Sequence, residues 1–238
     1  PAWQRLLVMA GGVLFNFIFA IIMYITLLTG WGESYISNEG NCIYVNELAY
    51  DMGFRNGDHI ISFDDYKPEN FLMLQADMAR QTAGKATVLR NGDTLDIYLD
   101  HSRIGDVLNT PGMFDLAREF VIHSIAEGSA NSGSQLESGD KVIRVAGQDI
   151  RFVQDAWPVL EAHAGEKVPI DIVRASDTLS LSLQVDTTGR LGVYLTSPEV
   201  KTKEYSLASA IPAGFVKTFD SIGEYIQDLK LVFTPCTE

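Results

Sequence analysis

The chain has 238 residues and a formal net charge of −13, with 18 Lys and Arg against 31 Asp and Glu. A chain this acidic repels phosphate backbones and carries no concentrated basic stripe, which sets nucleic-acid binding aside. Its length admits one large domain or two small ones.

Arg5 is the only charged residue among the first 31, and residues 6–30 form an uncharged run. As a helix rising 1.5 Å per residue, that run is about 37 Å long, enough to cross a hydrocarbon core of roughly 30 Å with some tilt. A secretory signal has an apolar core of only about 7–15 residues behind a methionine and a basic stretch, whereas this chain starts at Pro1. Residues 1–33 therefore read as a transmembrane helix, and the chain as a piece of a longer membrane protein. Arg5 before the span and Glu33 and Glu39 after it place the amino end in the cytoplasm and residues 32 onward outside. Gly11 and Gly12 leave room for another helix, and the amide of Asn16 is costly in lipid unless it meets a neighbouring helix or an active site, so Asn16 is expected to face protein. Cys42 and Cys236 are far apart in sequence; a disulfide in an oxidising compartment and two separate thiols both remain open.

The soluble part repeats itself. Ala49, Gly53, Phe54, Gly57-Asp58 and Ile60-Ile61 match Ala130, Gly133, Leu136, Gly139-Asp140 and Val142-Ile143, with the two Gly-Asp pairs 82 positions apart. Downstream, Arg90-Asn-Gly-Asp93-Thr-Leu95-Asp-Ile97 matches Arg174-Ala-Ser-Asp177-Thr-Leu179-Ser-Leu181, each a hairpin turn followed by the alternation of a half-buried strand. Between these landmarks lie helical stretches at 69–81 and 155–163, each stopped by a glycine. Each unit is thus a small strand-rich domain with one principal helix.

Beyond the repeats, Ile211, Phe215, Phe219, Ile222, Ile226, Leu229 and Phe233 recur at spacings of three and four and define one helical face, with Lys217, Asp220, Glu224 and Asp228 on the other. Pro235 ends the pattern. This predicts an amphipathic helix against the membrane or a protease core, with packing on the second repeat as the alternative.

The pattern Ala-x-x-x-Gly-apolar-x-x-Gly-Asp-x-apolar-apolar, a helix, then Arg-x-Gly-x-x-Leu-x-apolar-x-Leu resembles the circularly permuted PDZ domains of bacterial membrane and envelope proteases. The resemblance implies an α+β fold: residues 1–33 a transmembrane helix, 34–110 and 111–198 two PDZ domains (a partly open β-barrel plus helix), and 199–238 a linker and amphipathic helix. A PDZ domain binds a chain end as an added strand and holds its carboxylate on backbone N–H groups of a glycine loop. On the second repeat this implies Arg190, Leu191, Gly192, Val193 and Tyr194 as loop and strand, and Trp157, Leu160 and Glu161 as the opposite wall; a plain hairpin at Gly189 and Gly192 is the alternative. On the first repeat the same place falls on Met113-Phe114-Asp115-Leu116, where an aspartate in place of glycine would repel a carboxylate.

The stretch Ala10-Gly11-Gly12-Val13-Leu14-Phe15-Asn16-Phe17 resembles the second membrane helix of site-2 proteases of the RseP branch, with Val13 where relatives often carry proline. That resemblance implies a multi-pass inner-membrane zinc metalloendopeptidase whose PDZ pair, on the periplasmic side, gates access of membrane-spanning substrates such as anti-sigma factors, the second groove sensing newly cut C termini. The zinc ligands, in HExxH and a later Asp-Gly segment, are absent from this sequence, so no catalytic or metal residue is assigned within it and Zn2+ belongs to the intact enzyme. His59, His101, His123 and His163 lack ligand spacing. Asn131-Ser132-Gly133-Ser134 superficially suggests a nucleophile turn but falls inside the PDZ loop. A membrane-tethered, non-catalytic PDZ adaptor for a separate protease is the alternative function.

Overall fold

In the computed structural model, which describes residues 2–233, the apolar run becomes α1 (Ala2–Trp31), whose segment Ala10–Trp31 is long and apolar enough to cross a membrane. Only 11% of its most apolar window is buried, unlike the core helix of a soluble protein. The chain leaves α1 through β1 (Glu33–Tyr35) and enters the first repeat: β2 (Ile43–Val45), α2 (Glu47–Asp51), β3 (His59–Phe63), α3 (Leu74–Arg80), β4 (Lys85–Arg90), β5 (Asp93–Tyr98), α4 (Ile104–Asn109) and β6 (Phe114–Leu116). The second repeat follows as β7 (Ile122–Ile125), β8 (Lys141–Val145), β9 (Gln148–Asp149), α5 (Val153–Ala162), β10 (Lys167–Arg174), β11 (Asp177–Gln184) and β12 (Val193–Leu195). β13 (Lys201–Lys203) and α6 (Leu207–Phe233) end the described chain.

Two separate cores form. The first is built on Ile43, Phe54, Ile60, Phe63, Leu74, Val88 and Met113, the second on Ile122, Val142, Leu160, Ile170, Ile172, Leu183 and Leu191. In each, alternate strand residues point inward to meet the principal helix, as a one-sided sheet requires. The sheets correspond: β3-β4-β5 in the first module and β9-β8-β10-β11 in the second, with two-stranded β2-β6 and β7-β12 pairs closing each. β6 pairs with β2 through Ile43↔Leu116 and Val45↔Phe114, so the first module runs through Leu116, and the division expected at 110/111 falls inside its core. Pairing distant in sequence moved the boundary. β1 likewise belongs to neither module: it pairs with β13, Glu33↔Lys203 to Tyr35↔Lys201, in a ribbon that joins the exit of α1 to the start of α6.

The repeated Gly-Asp and Arg landmarks are one ion pair seen twice. Asp58 and Asp140 are fully buried, and each carboxylate receives Nε and Nη2 of Arg90 or Arg174 at 2.7 Å. Each also accepts a loop N–H, from Arg55 at 2.9 Å and Glu137 at 2.8 Å. A carboxylate in such a place needs this bidentate partner to offset its desolvation.

α6 packs on α1 through a face of small residues and leaves most of its apolar stripe uncovered. Ala210, Gly214 and Thr218 are buried, whereas Ile211, Phe215, Phe219, Ile222, Ile226 and Leu229 are each more than a third exposed; the Phe233 side chain and Pro235 lie outside the described residues. Phe17, Ile21, Tyr24 and Leu28 form the matching face of α1: the Tyr24 hydroxyl meets Ser221 Oγ at 2.8 Å and the Phe17 and Phe219 rings meet edge-on at 5.2 Å. The close approach is at Gly214, where a Cβ would lie 2.6 Å from Ile25 Cγ1. A Cβ at Gly11 or Gly12, expected to receive a helix, would meet nothing within 4 Å, and the Asn16 side chain is exposed with no hydrogen-bond partner among the described residues. α6 reaches the first module rather than the second: Arg80 of α3 pairs with Asp228 at 2.8 Å and Glu224 at 3.2 Å, and Lys217 pairs with Glu33.

Candidate peptide-binding site

The second module presents β12 as an edge strand, hydrogen-bonded to β7 on one side only. α5 forms the facing wall, and at its start Asp155 Oδ2 accepts the N–H of Phe152 at 2.8 Å. Leu160 and Leu191 are buried together in the second core with Val193 packed against them, while Trp157 and Tyr194 are 55% and 61% exposed. The side chains predicted from sequence therefore divide into a buried floor and exposed aromatics.

The loop entering β12 has glycines where geometry demands them. Gly189 lies at φ +74° against α5, and a Cβ there would stand 2.8 Å from Glu161 Cα; Gly192 lies at φ +64°, and its Cβ would strike Ser129 Oγ at 2.3 Å. A plain hairpin needs neither approach. Asp186 closes the turn by accepting from the N–H groups of Thr188 at 2.8 Å and Arg190 at 2.9 Å, and these bonds, the Thr188 hydroxyl first, hold its carboxyl below the usual range. The Arg190 side chain is exposed, and its charge acts on the neighbouring Asp186 carboxylate. The Gly192 carbonyl accepts from Ala126 N–H at 2.9 Å. Carbonyl and N–H of a trans peptide point in opposite directions, so the Val193 N–H turns to the open edge. The Gly192 N–H itself meets no acceptor among the described residues.

The first module has the same strand pair and a closed site. Met113, not Asp115, occupies the place of Gly192: its carbonyl accepts from Asn46 N–H at 3.3 Å as Gly192 accepts from Ala126. Asp115 lies opposite Tyr44 in the β2–β6 register, so the expected glycine-to-aspartate replacement is corrected by two residues. The Met113 N–H is spent on Gln75 Oε1 at 3.0 Å, and Gln75 Nε2 is anchored on the carbonyls of Val107 at 2.7 Å and Thr110 at 2.8 Å. At the other end of β6, the Leu116 carbonyl accepts from Gln154 Nε2 of α5 at 2.6 Å. Gln75 and Gln154 carried no motif in the sequence; only the fold brings them to the strand.

The modules meet along α5. Tyr44 donates to Asp155 Oδ1 at 3.1 Å, its ring stands edge-on to Phe152 at 6.3 Å, and Val153 N–H donates to Arg118 O at 2.7 Å. A cleft of about 820 Å3 opens beside this contact, lined among others by Cys42, Arg118, Lys141 and Arg151. Burial pushes the Cys42 thiol up despite nearby Arg151; Cys236 lies outside the described residues. Among the described residues, no three His, Cys, Asp or Glu side chains converge as metal ligands. His59 Nδ1 is spent on Asn41 O at 2.7 Å and His163 Nδ1 on Glu166 at 2.8 Å. Zinc does not fit the described residues, which offer it no cluster of three ligands.

The described chain is thus an apolar helix of membrane-spanning length followed by two small α+β modules with corresponding sheets, one with an open glycine loop. The chain matches Peptidase family M50 across residues 1–238 and belongs to that family, the site-2 proteases. Relatives named "Putative zinc metalloprotease" are 23% identical in Xylella fastidiosa strain Temecula1, over 98% of this chain and 56% of theirs, and 23% identical in Borreliella burgdorferi, over 98% and 53%. One in Thermotoga maritima is 25% identical over 69% of this chain and 30% of its own. The chain thus spans between about a third and about half of these relatives. A PDZ domain of an SdrC-like protein from Listeria monocytogenes covers 32% of the chain and 84% of its own length, at 15% identity and TM-score 0.29.

Proposed function

We propose that these 238 residues are the substrate-gating region of an RseP-like intramembrane zinc metalloendopeptidase, with both PDZ modules on the extracytoplasmic side of an inner membrane. In this reading the zinc and its ligands belong to parts of the protein outside this chain, which spans about half of its Xylella and Borreliella relatives. Substrates are membrane-spanning proteins, anti-sigma factors among them, whose outer domains an earlier cleavage has removed. The docked modules exclude bulky ectodomains by size, and the second module receives the new C terminus on β12. Gly11, Gly12 and Asn16, on a face of α1 that α6 leaves open, are proposed to meet the rest of the membrane core.

The observation that carries the reading is the asymmetry of the two loops: the Gly192 N–H is open beside an edge strand, while Met113 N–H is bound to Gln75. The test is titration of the chain in detergent micelles with a short labelled peptide ending in leucine, as the free acid and as the amide. A preference of about tenfold for the free acid is expected, the size of one charge-assisted hydrogen bond. Equal binding, or none, would remove chain-end sensing and leave size exclusion. HExxH in the upstream gene sequence supports the protease; its absence leaves the adaptor.

A further inference from the structure

The open loop of the second module is held from beneath by a side chain distant in sequence. Asn131, in the connection between β7 and β8, is only 4% exposed. Its Nδ2 donates to Leu191 O at 2.9 Å and to Gln184 O at 2.8 Å, and its Oδ1 accepts the Gln184 N–H at 2.9 Å. Both amide hydrogens are therefore spent on backbone carbonyls, which is the full donor capacity of the group. Ser129 lies on the same side, its Oγ 3.4 Å from Leu191 O. With the Leu191 carbonyl drawn inward, the trans peptide turns the Gly192 N–H the opposite way, out of the module. The first module has no counterpart: Tyr50, which follows Ala49 as Asn131 follows Ala130, is 54% exposed, and the loop amide there is taken by Gln75.

We infer that Asn131 is a positioning residue that fixes the Leu191–Gly192 peptide with its N–H aimed into the groove, and so sets the preference of the second module for a free chain end over a blocked one. The inference rests on the chain-end reading above. Asn131 touches no ligand; it removes the freedom of one peptide plane to turn its carbonyl, which would repel a carboxylate, toward the groove. Preorganised donors of this kind cost no reorganisation when the anion arrives.

The experiment repeats the free-acid and amide titrations with the same leucine-ended peptide on Asn131→Ala and Asn131→Ser in the whole chain, with thermal unfolding measured alongside. Asn131→Ala is expected to bring the ratio of affinities to about one while binding of the amide is unchanged. A folded Asn131→Ala that keeps the parent's preference overturns the inference, whereas a parent chain with no preference overturns the chain-end reading itself. Where Asn131→Ala abolishes the cooperative unfolding transition, Asn131→Ser decides: it keeps a hydroxyl in the same place but is too short to hold Leu191 O and Gln184 together, and is expected to lower the preference at least threefold. An unaltered preference in that variant then overturns the inference.

Discussion

The buried Asp140–Arg174 pair shows how one residue's role depends on another far along the chain. Removing one partner of such a pair leaves an uncompensated charge in the core, typically a loss of about 3–5 kcal/mol. Arg174→Met leaves the buried Asp140 carboxylate without its bidentate partner and is therefore expected to lower the urea midpoint of the second module at neutral pH. The bond from Arg174 holds the Asp140 carboxyl below its ordinary value. A depressed folded pKa means stabilisation that is present above the unfolded carboxylate value near about 4 and lost as pH falls through the depressed one. The deficit of Arg174→Met should accordingly shrink in acid, and a deficit independent of pH would contradict the pairing. The Gly-Asp signature was legible as a turn; its partner was not, since local sequence does not say which arginine closes on a carboxylate 34 positions away. The misplacement of Asp115 has a similar cause: a shift of two positions along a strand preserves the alternation of side chains, and only hydrogen-bond register distinguishes the two alignments.

At the scale of elements, both long helices were readable and their contact was not. Periodicity finds the apolar stripe of α6, but in this chain the stripe stays exposed and the small residues make the contact with α1. Where the surroundings are as apolar as a leucine side chain, helices gain from close backbone approach, and small residues permit it. Gly214 is that place, with Ile25 N at 3.2 Å and Ile21 O at 3.5 Å from the Cβ it lacks. Gly214→Leu should force α1 and α6 apart. In a background with both native cysteines replaced by serine, oxidative cross-linking of Tyr24→Cys to Ser221→Cys is expected to fall several-fold in that variant; undiminished cross-linking would show that the contact does not depend on Gly214.

At the scale of the molecule, polar contacts that join the two modules, the β1–β13 ribbon and the helix pair include, among the described residues, Tyr44 to Asp155, Gln154 to Leu116, Lys217 to Glu33 and Arg80 to Asp228 and Glu224. The Arg80 contacts are half-exposed on the acidic side and so are screened by salt. Arg80→Ala is expected to release the end of α6 from the first module without unfolding either core, read as faster hydrogen exchange over residues 222–230 with exchange in β4 and β10 unchanged. An apolar helix long enough to span a membrane and a duplicated small α+β unit were legible in the amino-acid order, because hydropathy, turn glycines and strand alternation are local and each is imposed by the backbone. Long-range contacts alone settle the rest: β2–β6 pairing ends the first module, Gly214 selects the buried face of α6, and the open and taken loop amides depend on Asn131 and Gln75, polar side chains whose roles exist only once distant strands bring a backbone group within reach.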